Sequence, residues 1–186
     1  EKYVNITLDK AKRLETLINE FFEIIRYNLH YIELEKETIN LCYMMVQMTD
    51  EFYPLLEAHN NRTELDIDEE LTIYGDATQL ARVFNNILKN AVAYSYPNTA
   101  IRIWAEQDDQ YTKIYFQNQG KTIPLHKLEK IFEKFFRLDE ARTSNTGGAG
   151  LGLAIAKEIV ALHNGKITAD SHDELTTFCV MLPRNV

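Results

Sequence analysis

Six positions, Gly147 to Gly152, hold four of the chain's seven glycines, and they run straight into Leu153-Ala154-Ile155-Ala156-Lys157-Glu158-Ile159-Val160. Glycine loses more conformational freedom on folding than any other residue. Such density implies backbone at φ > 0 or a backbone that something else approaches closely. The residues that follow repeat apolar side chains at helical spacing, so the glycines feed a helix N-terminus. Its unpaired N–H groups and the positive end of its dipole suit an anion, a phosphate above all. A hinge or a tight packing turn is the plainer alternative. No Lys-Ser/Thr pair follows the glycines, which excludes a Walker-type loop. Too little chain remains beyond them to build a dinucleotide-binding βαβ unit.

A second set lies in FNNILKNAVAYS, where Asn85, Asn86, Lys89 and Asn90 crowd the polar side of one helix. Asn86 and Asn90 are four apart and project together. Asparagine is a mediocre helix former, so two aligned amides inside a strongly patterned helix ask for a reason. Their neutral oxygens can join the shell of a Mg²⁺ whose charge is balanced mostly by phosphate. Taken alone, the pair reads better as amides satisfied by solvent or neighbouring backbone.

These sets need elements to position them. At 186 residues the chain suits one α/β-containing domain with a smaller element attached. Its 28 Asp+Glu against 20 Lys+Arg, a formal charge of -8, argue against a nucleic-acid partner. Cys42 and Cys179 sit in apolar contexts and suggest neither a disulfide framework nor a metal knuckle. Apolar runs are short and interrupted, so no membrane contact is expected of this chain.

From Val4 to Leu29 apolar residues step by three and four, a heptad-like seam on about 40 Å of helix. One lone helix cannot bury that face, which predicts a partner helix and a truncated hairpin or bundle. A charged connection is expected over 30–39, then a helix from Asn40 to Ala58. Strands are expected at Thr63–Ile67 and Leu71–Tyr74, and Gly75-Asp76 turns into a helix from Thr78 to Tyr94. Ala100–Glu106 and Tyr111–Asn118 alternate as a hairpin. A short helix near Leu125–Ile131 precedes a polar, glycine-bearing stretch, Arg137–Ala149, of lid length. The helix behind the glycines should stop at Gly165, before a closing hairpin of Lys166–Ala169 and Leu175–Leu182. The expected fold is α+β: a two-layer sandwich with a mixed sheet and helices on one face, preceded by the long helix.

The polar helix stripe, the QNQGKTIP turn, the IFEKFFRLDEAR segment and the glycine loop come in that order. The combination resembles the nucleotide-binding domain of sensor histidine kinases, similar to the ATP-binding fold of gyrase, Hsp90 and MutL. VNITLDKAKRLETLINEFFEIIRYNL, VFNNILKNA and IFEKFFRLDEARTSNTGGAGLGLAIAKEI extend the likeness over nearly the whole chain, with wording most similar to vancomycin-resistance sensor kinases. The resemblance implies ATP and Mg²⁺ as ligands, with Asn90 as principal metal ligand and Asn86 assisting. It puts Lys89 on phosphate, Tyr94 against the adenine, and Asn118 on the adenine exocyclic amine. It makes Gly120 the close passage beside the base, with Ile123 in the pocket wall. Phe132, Phe135 and Phe136 would anchor the lid, and Arg137 would approach the γ-phosphate. Gly148, Gly150 and Gly152 would form the far phosphate loop, backed by Leu151 and Leu153, and Thr176 and Thr177 would border the adenine pocket.

It further implies residues 1–31 as the second helix of a dimerisation hairpin and 32–186 as the catalytic domain. The full protein would be a homodimer through its hairpin helices, a bacterial membrane sensor whose cytoplasmic part phosphorylates a response-regulator receiver domain. None of His30, His59, His126, His163 or His172 has the H-E/D-x-x-x-P context expected of the phosphoacceptor. The chain is therefore expected to bind nucleotide without phosphorylating itself. Two departures stand out. Asn118-Gln119-Gly120-Lys121-Thr122 replaces the usual Asp-x-Gly-x-Gly, losing charge assistance at the base, and Thr122 suggests a turn that needs no φ > 0 there. Ala93 replaces a frequent basic residue. Competing readings are a clamp-type ATPase, which needs a glutamate base where Asn86 stands, a serine kinase of the same fold, and a degenerate nucleotide-free module.

Overall fold

The structure, a computed structural model, describes residues 2–28, 33–138 and 150–184. The chain divides into two compact units, Glu1–Glu33 and Leu34–Val186. The first contains α1, Lys2–Asn28. Its seam residues Val4, Leu8, Leu14, Ile18 and Phe21 are exposed, and Phe21 meets Phe22 edge-on at 6.4 Å between ring centroids. Among the described residues, no helix is long and apolar enough to cross a membrane.

The second unit runs β1 (Lys36–Asn40), α2 (Leu41–Ala58), β2 (Arg62–Asp66), β3 (Thr72–Asp76), α3 (Ala77–Tyr94), β4 (Ala100–Gln107), β5 (Tyr111–Gln119), α4 (Leu125–Leu128), α5 (Gly152–Leu162), β6 (Lys166–His172) and β7 (Leu175–Pro183). A five-stranded sheet has the order β2-β4-β5-β7-β6, parallel between β2 and β4 and antiparallel elsewhere. Alternation selects its inner face. Ile101 and Ile103, Ile114 and Phe116, Phe178, Val180 and Leu182 are buried, while their neighbours in sequence face the other way. Helix α3 lays Leu80, Val83, Phe84, Ile87 and Leu88 on that face, with Phe84 and Phe116 rings 5.7 Å apart. The α+β sandwich expected from the sequence is the fold observed.

Several boundaries differ from expectation; Gly75 and Asp76, for example, end β3 instead of forming a turn, and β6 runs on to His172. The stretch 30–39 does not stay a connection over its whole length: β1 pairs antiparallel with β3, as a separate two-stranded ribbon. Only Ile39 of β1 is buried, so the segment carries no alternation to announce a strand. At the end of α5 the left-handed residue is Asn164, φ 57°, while the Gly165 N–H bonds back to Val160 O at 2.9 Å. Gly165 is needed for space instead, because a Cβ there would overlap the Met181 carbonyl oxygen.

Asp76 ties these parts together. Its Oδ1 accepts from the Gln79 N–H at 3.0 Å and caps α3, and its Oδ2 accepts from the Glu35 N–H at 3.1 Å. Its own N–H donates to His163 Nε2 at 3.0 Å, beyond the end of α5. His163 Nδ1–H in turn donates to Ile159 O at 2.8 Å, which makes the buried ring a neutral, fully partnered connector. Burial holds its pKa below the ordinary histidine value; the hydrogen bond to Ile159 O opposes this, Lys36 pushes it further down and Asp76 pulls it up.

Candidate nucleotide-binding cleft

With α3 fixed by its apolar face, Asn86, Asn90 and Tyr94 fall on one stripe at four-residue steps. Asn90 Nδ2 donates to the Asn86 carbonyl at 2.8 Å, which ties down the nitrogen end of the amide and leaves Oδ1 for the cavity. Asn90 and Tyr94 line a cavity of about 190 Å³, several times the ~30 Å³ taken by one water, so a ligand fragment fits. Asn86 lies beside Gly152: a Cβ built there would stand 3.4 Å from Asn86 Oδ1. Asn86 Nδ2 is buried without a hydrogen-bond partner, and Asn86, like Gly120, Gly150, Leu151 and Gly152, is not among the residues that line the cavity.

The inner end of the cavity is formed by Asn118 of β5 with Thr176 and Phe178 of β7. Gly120 passes so close to the last turn of α3 that a Cβ would overlap the Tyr94 carbonyl oxygen. Its N–H donates to Glu174 O at 2.7 Å, and the Thr122 hydroxyl accepts from the Glu174 N–H at 2.9 Å. Thr122 does not have positive φ, as its side chain required; Asp173 and Glu174 supply the left-handed residues of this corner. Ile123, Ile131 and Leu153 add apolar wall, and Leu151 is fully buried. On the approach to the glycine loop, Phe136 and Arg137 line the cavity. The Phe135 N–H donates to Gly150 O at 2.9 Å and so joins the two sides of the stretch between them. Gly150 has φ 74°, a conformation that a side chain would strain.

Several sequence expectations change here. Thr177 faces away from the cavity and accepts from Gln117 Nε2 at 3.0 Å, since successive strand residues alternate between faces; Thr176 alone of the pair lines the cleft. Lys89 is exposed and outside the lining, because it precedes Asn90 and is turned by about 100° around the helix. Phe135 is 57 % exposed, and Phe136 takes its place at the wall. Gly148 lies outside the described residues. Sequence reasoning assigned no role to Lys121 or Lys127, which line the cavity together with Arg137. The only hint was a short basic segment, KTIPLHK, inside an acidic chain. Among the described residues, no Asp or Glu lines the cavity. The cleft is therefore cationic and amide-bearing in a protein of charge -8, as an anionic ligand needs.

Comparison with known proteins agrees with this geometry. The chain is 61% identical over 182 residues to the sensor protein VanS of Enterococcus faecium, covering 98% of this chain and 47% of that protein. It is 44% identical to the sensor protein VanSC of Enterococcus gallinarum, covering 98% of this chain and 50% of that one. The chain thus spans about half the length of these curated relatives. Among solved structures, histidine kinase ThkA in complex with the response regulator protein TrrA matches with a TM-score of 0.75 and 27% identity, over 100% of this chain and 51% of that one. The family model described as histidine kinase-, DNA gyrase B-, and HSP90-like ATPase matches residues 75–186, from the glycine before the α3 cap to the end of the chain. That stretch contains every wall of the cleft, and the chain belongs to this ATPase family.

Proposed function

We propose that this chain is the ATP-binding part of a two-component sensor histidine kinase acting in glycopeptide-resistance signalling. In this reading residues 32–186 bind MgATP and donate its γ-phosphoryl to a histidine on a helical hairpin, from which it passes to a receiver-domain aspartate. Residues 1–31 are the hairpin's second helix, and the exposed seam of α1 is the face it would bury in a homodimeric bundle. The full protein would be a membrane sensor with this part on the cytoplasmic side. The observation that carries the proposal is the cleft itself: among the described residues its lining holds the amides Asn90 and Asn118, the basic side chains Lys121, Lys127 and Arg137, and no acid.

The roles follow from position. Tyr94, Ile123 and Phe178 offer surfaces for a base, and Asn118 and Thr176 its polar contacts. Asn90 Oδ1, freed by the bond its nitrogen makes, suits a hard cation's preference for oxygen. Mg²⁺ there would neutralise phosphate charge. The N-terminus of α5, whose first residue Gly152 stands beside Asn86, suits phosphate oxygens. Arg137, in the cavity lining, is placed to stabilise charge on a transferring phosphoryl group.

Incubation with radiolabelled ATP and a separate histidine-bearing hairpin tests this reading. Acid-labile, base-stable label on the hairpin is expected. Acid-stable label would indicate a serine kinase. No label under conditions of demonstrated ATP binding would refute phosphotransfer. The uncharged Asn118 and the exposed Lys89 favour one competing reading, a nucleotide-free interaction module, which the absence of heat or thermal shift at millimolar MgATP would support.

A further inference from the structure

One cross-strand pair, Asn118 on β5 and Thr176 on β7, forms the polar inner end of the cavity. Both are almost wholly buried, at 3% and 5% exposure, and neither carries charge. Each is two-way in hydrogen bonding: the amide has an oxygen and an NH₂, and the hydroxyl can donate or accept. Thr176 Oγ1 lies 2.9 Å from Ser171 Oγ, and either oxygen can be the donor; Ser171 Oγ also accepts from the Ile123 N–H at 2.9 Å. Whichever way that bond runs, Thr176 keeps some hydrogen-bonding capacity toward the cavity. The nearby cationic residues Lys121 and Lys127 are donors only, and no carboxylate lines the cavity among the described residues.

A 6-aminopurine presents a donor at C6, whereas a 6-oxopurine presents an acceptor there. A carboxylate at position 118 would accept from the first and repel the second. An amide serves either by turning over about its terminal torsion. Resting on the nucleoside triphosphate site proposed above, we infer that the cleft accepts 6-oxopurine nucleotides beside 6-aminopurine ones. The Asn118–Thr176 pair sets this breadth.

Inosine triphosphate is the probe, since it alters the base at C6 and N1 and leaves the triphosphate intact. Calorimetric titration of the chain with ATP and with inosine triphosphate, both with Mg²⁺, is expected to give dissociation constants within about tenfold of each other. In Asn118→Asp the gap is expected to widen to about a hundredfold, through weaker inosine triphosphate binding. Thermal melting checks that this variant is folded, and the wild-type comparison decides the matter without it. ATP binding with inosine triphosphate more than about tenfold weaker overturns the inference and leaves the ATP site standing. Failure of both nucleotides to bind overturns both.

Discussion

A Cβ placed on Gly152 would stand 3.4 Å from both Cγ and Oδ1 of Asn86, so the first residue of α5 faces the polar stripe of α3. The glycine-rich strip and the asparagine helix, 66 positions apart in sequence (152 − 86), are two sides of one narrow gap. That distance is ordinary contact, so a methyl group fits the protein, but it would meet a phosphate bound at the N-terminus of α5 as proposed. Gly152→Ala should melt within about 1 kcal/mol of wild type, because alanine is the better helix residue. MgATP affinity should fall by at least roughly tenfold. Calorimetry beside thermal melting checks the pair of outcomes, and unchanged affinity would remove phosphate from this gap.

Gly150 answers to a different constraint. Its φ of 74° and the 2.8 Å that would separate a Cβ from Phe136 O both oppose a side chain. Gly150→Ala should cost about 2 kcal/mol of stability and weaken the Phe135 N–H to Gly150 O closure. Urea denaturation measures this. A stable variant would show that the bend can be remade.

Asn90 is expected to carry the metal dependence of binding. Chelating Mg²⁺ should weaken ATP binding by roughly 10- to 100-fold in the wild type, and Asn90→Ala should be weakened to a similar degree before any chelator is added. In Asn90→Ala the chelator should then matter little. A variant that retains the full Mg²⁺ response would place the cation elsewhere.

The strand alternation gives a paired comparison. Thr176→Val removes a hydroxyl from the cleft and should weaken nucleotide binding several-fold, about 1 kcal/mol. Thr177→Val removes only the bond from Gln117 on the other face and should leave nucleotide affinity unchanged. Equal effects from the two would contradict the observed register.

His163 should make folding sensitive to mild acid. Its ordinary pKa of 6.5 applies to the unfolded chain, and burial lowers it in the folded protein. Between those values the unfolded state binds the extra proton, so stability rises with pH. The contribution is complete above pH 6.5 and is lost as pH falls from there toward the folded value. His163→Gln should be less stable at neutral pH but flatter between pH 7.5 and 5.5, which urea melts at several pH values would show. An unchanged slope would assign the acid sensitivity to other groups.

How legible was this protein from its residues? Helix α3 was readable to within one residue, since Asp76 caps it and its apolar spacing is unbroken. The Asn86–Asn90 stripe and the glycine-rich entry to α5 were visible for the same reason: both are local patterns of period and backbone freedom. Strand β1 was not visible, because one buried residue, Ile39, makes no pattern and its partner strand lies more than thirty residues away. The choice of Thr176 over Thr177, the exposure of Lys89 and the arrival of Lys121 and Lys127 at the cleft were likewise hidden.

By itself, then, the order of residues determined most of the elements, the fold class and the two polar signatures, since helix period, strand alternation and glycine's freedom act between near neighbours. Which side chains meet was decided only by folding. Strand register and helix rotation bring distant residues to one cavity, and a single step along β7 sends a hydroxyl to the opposite face of the sheet.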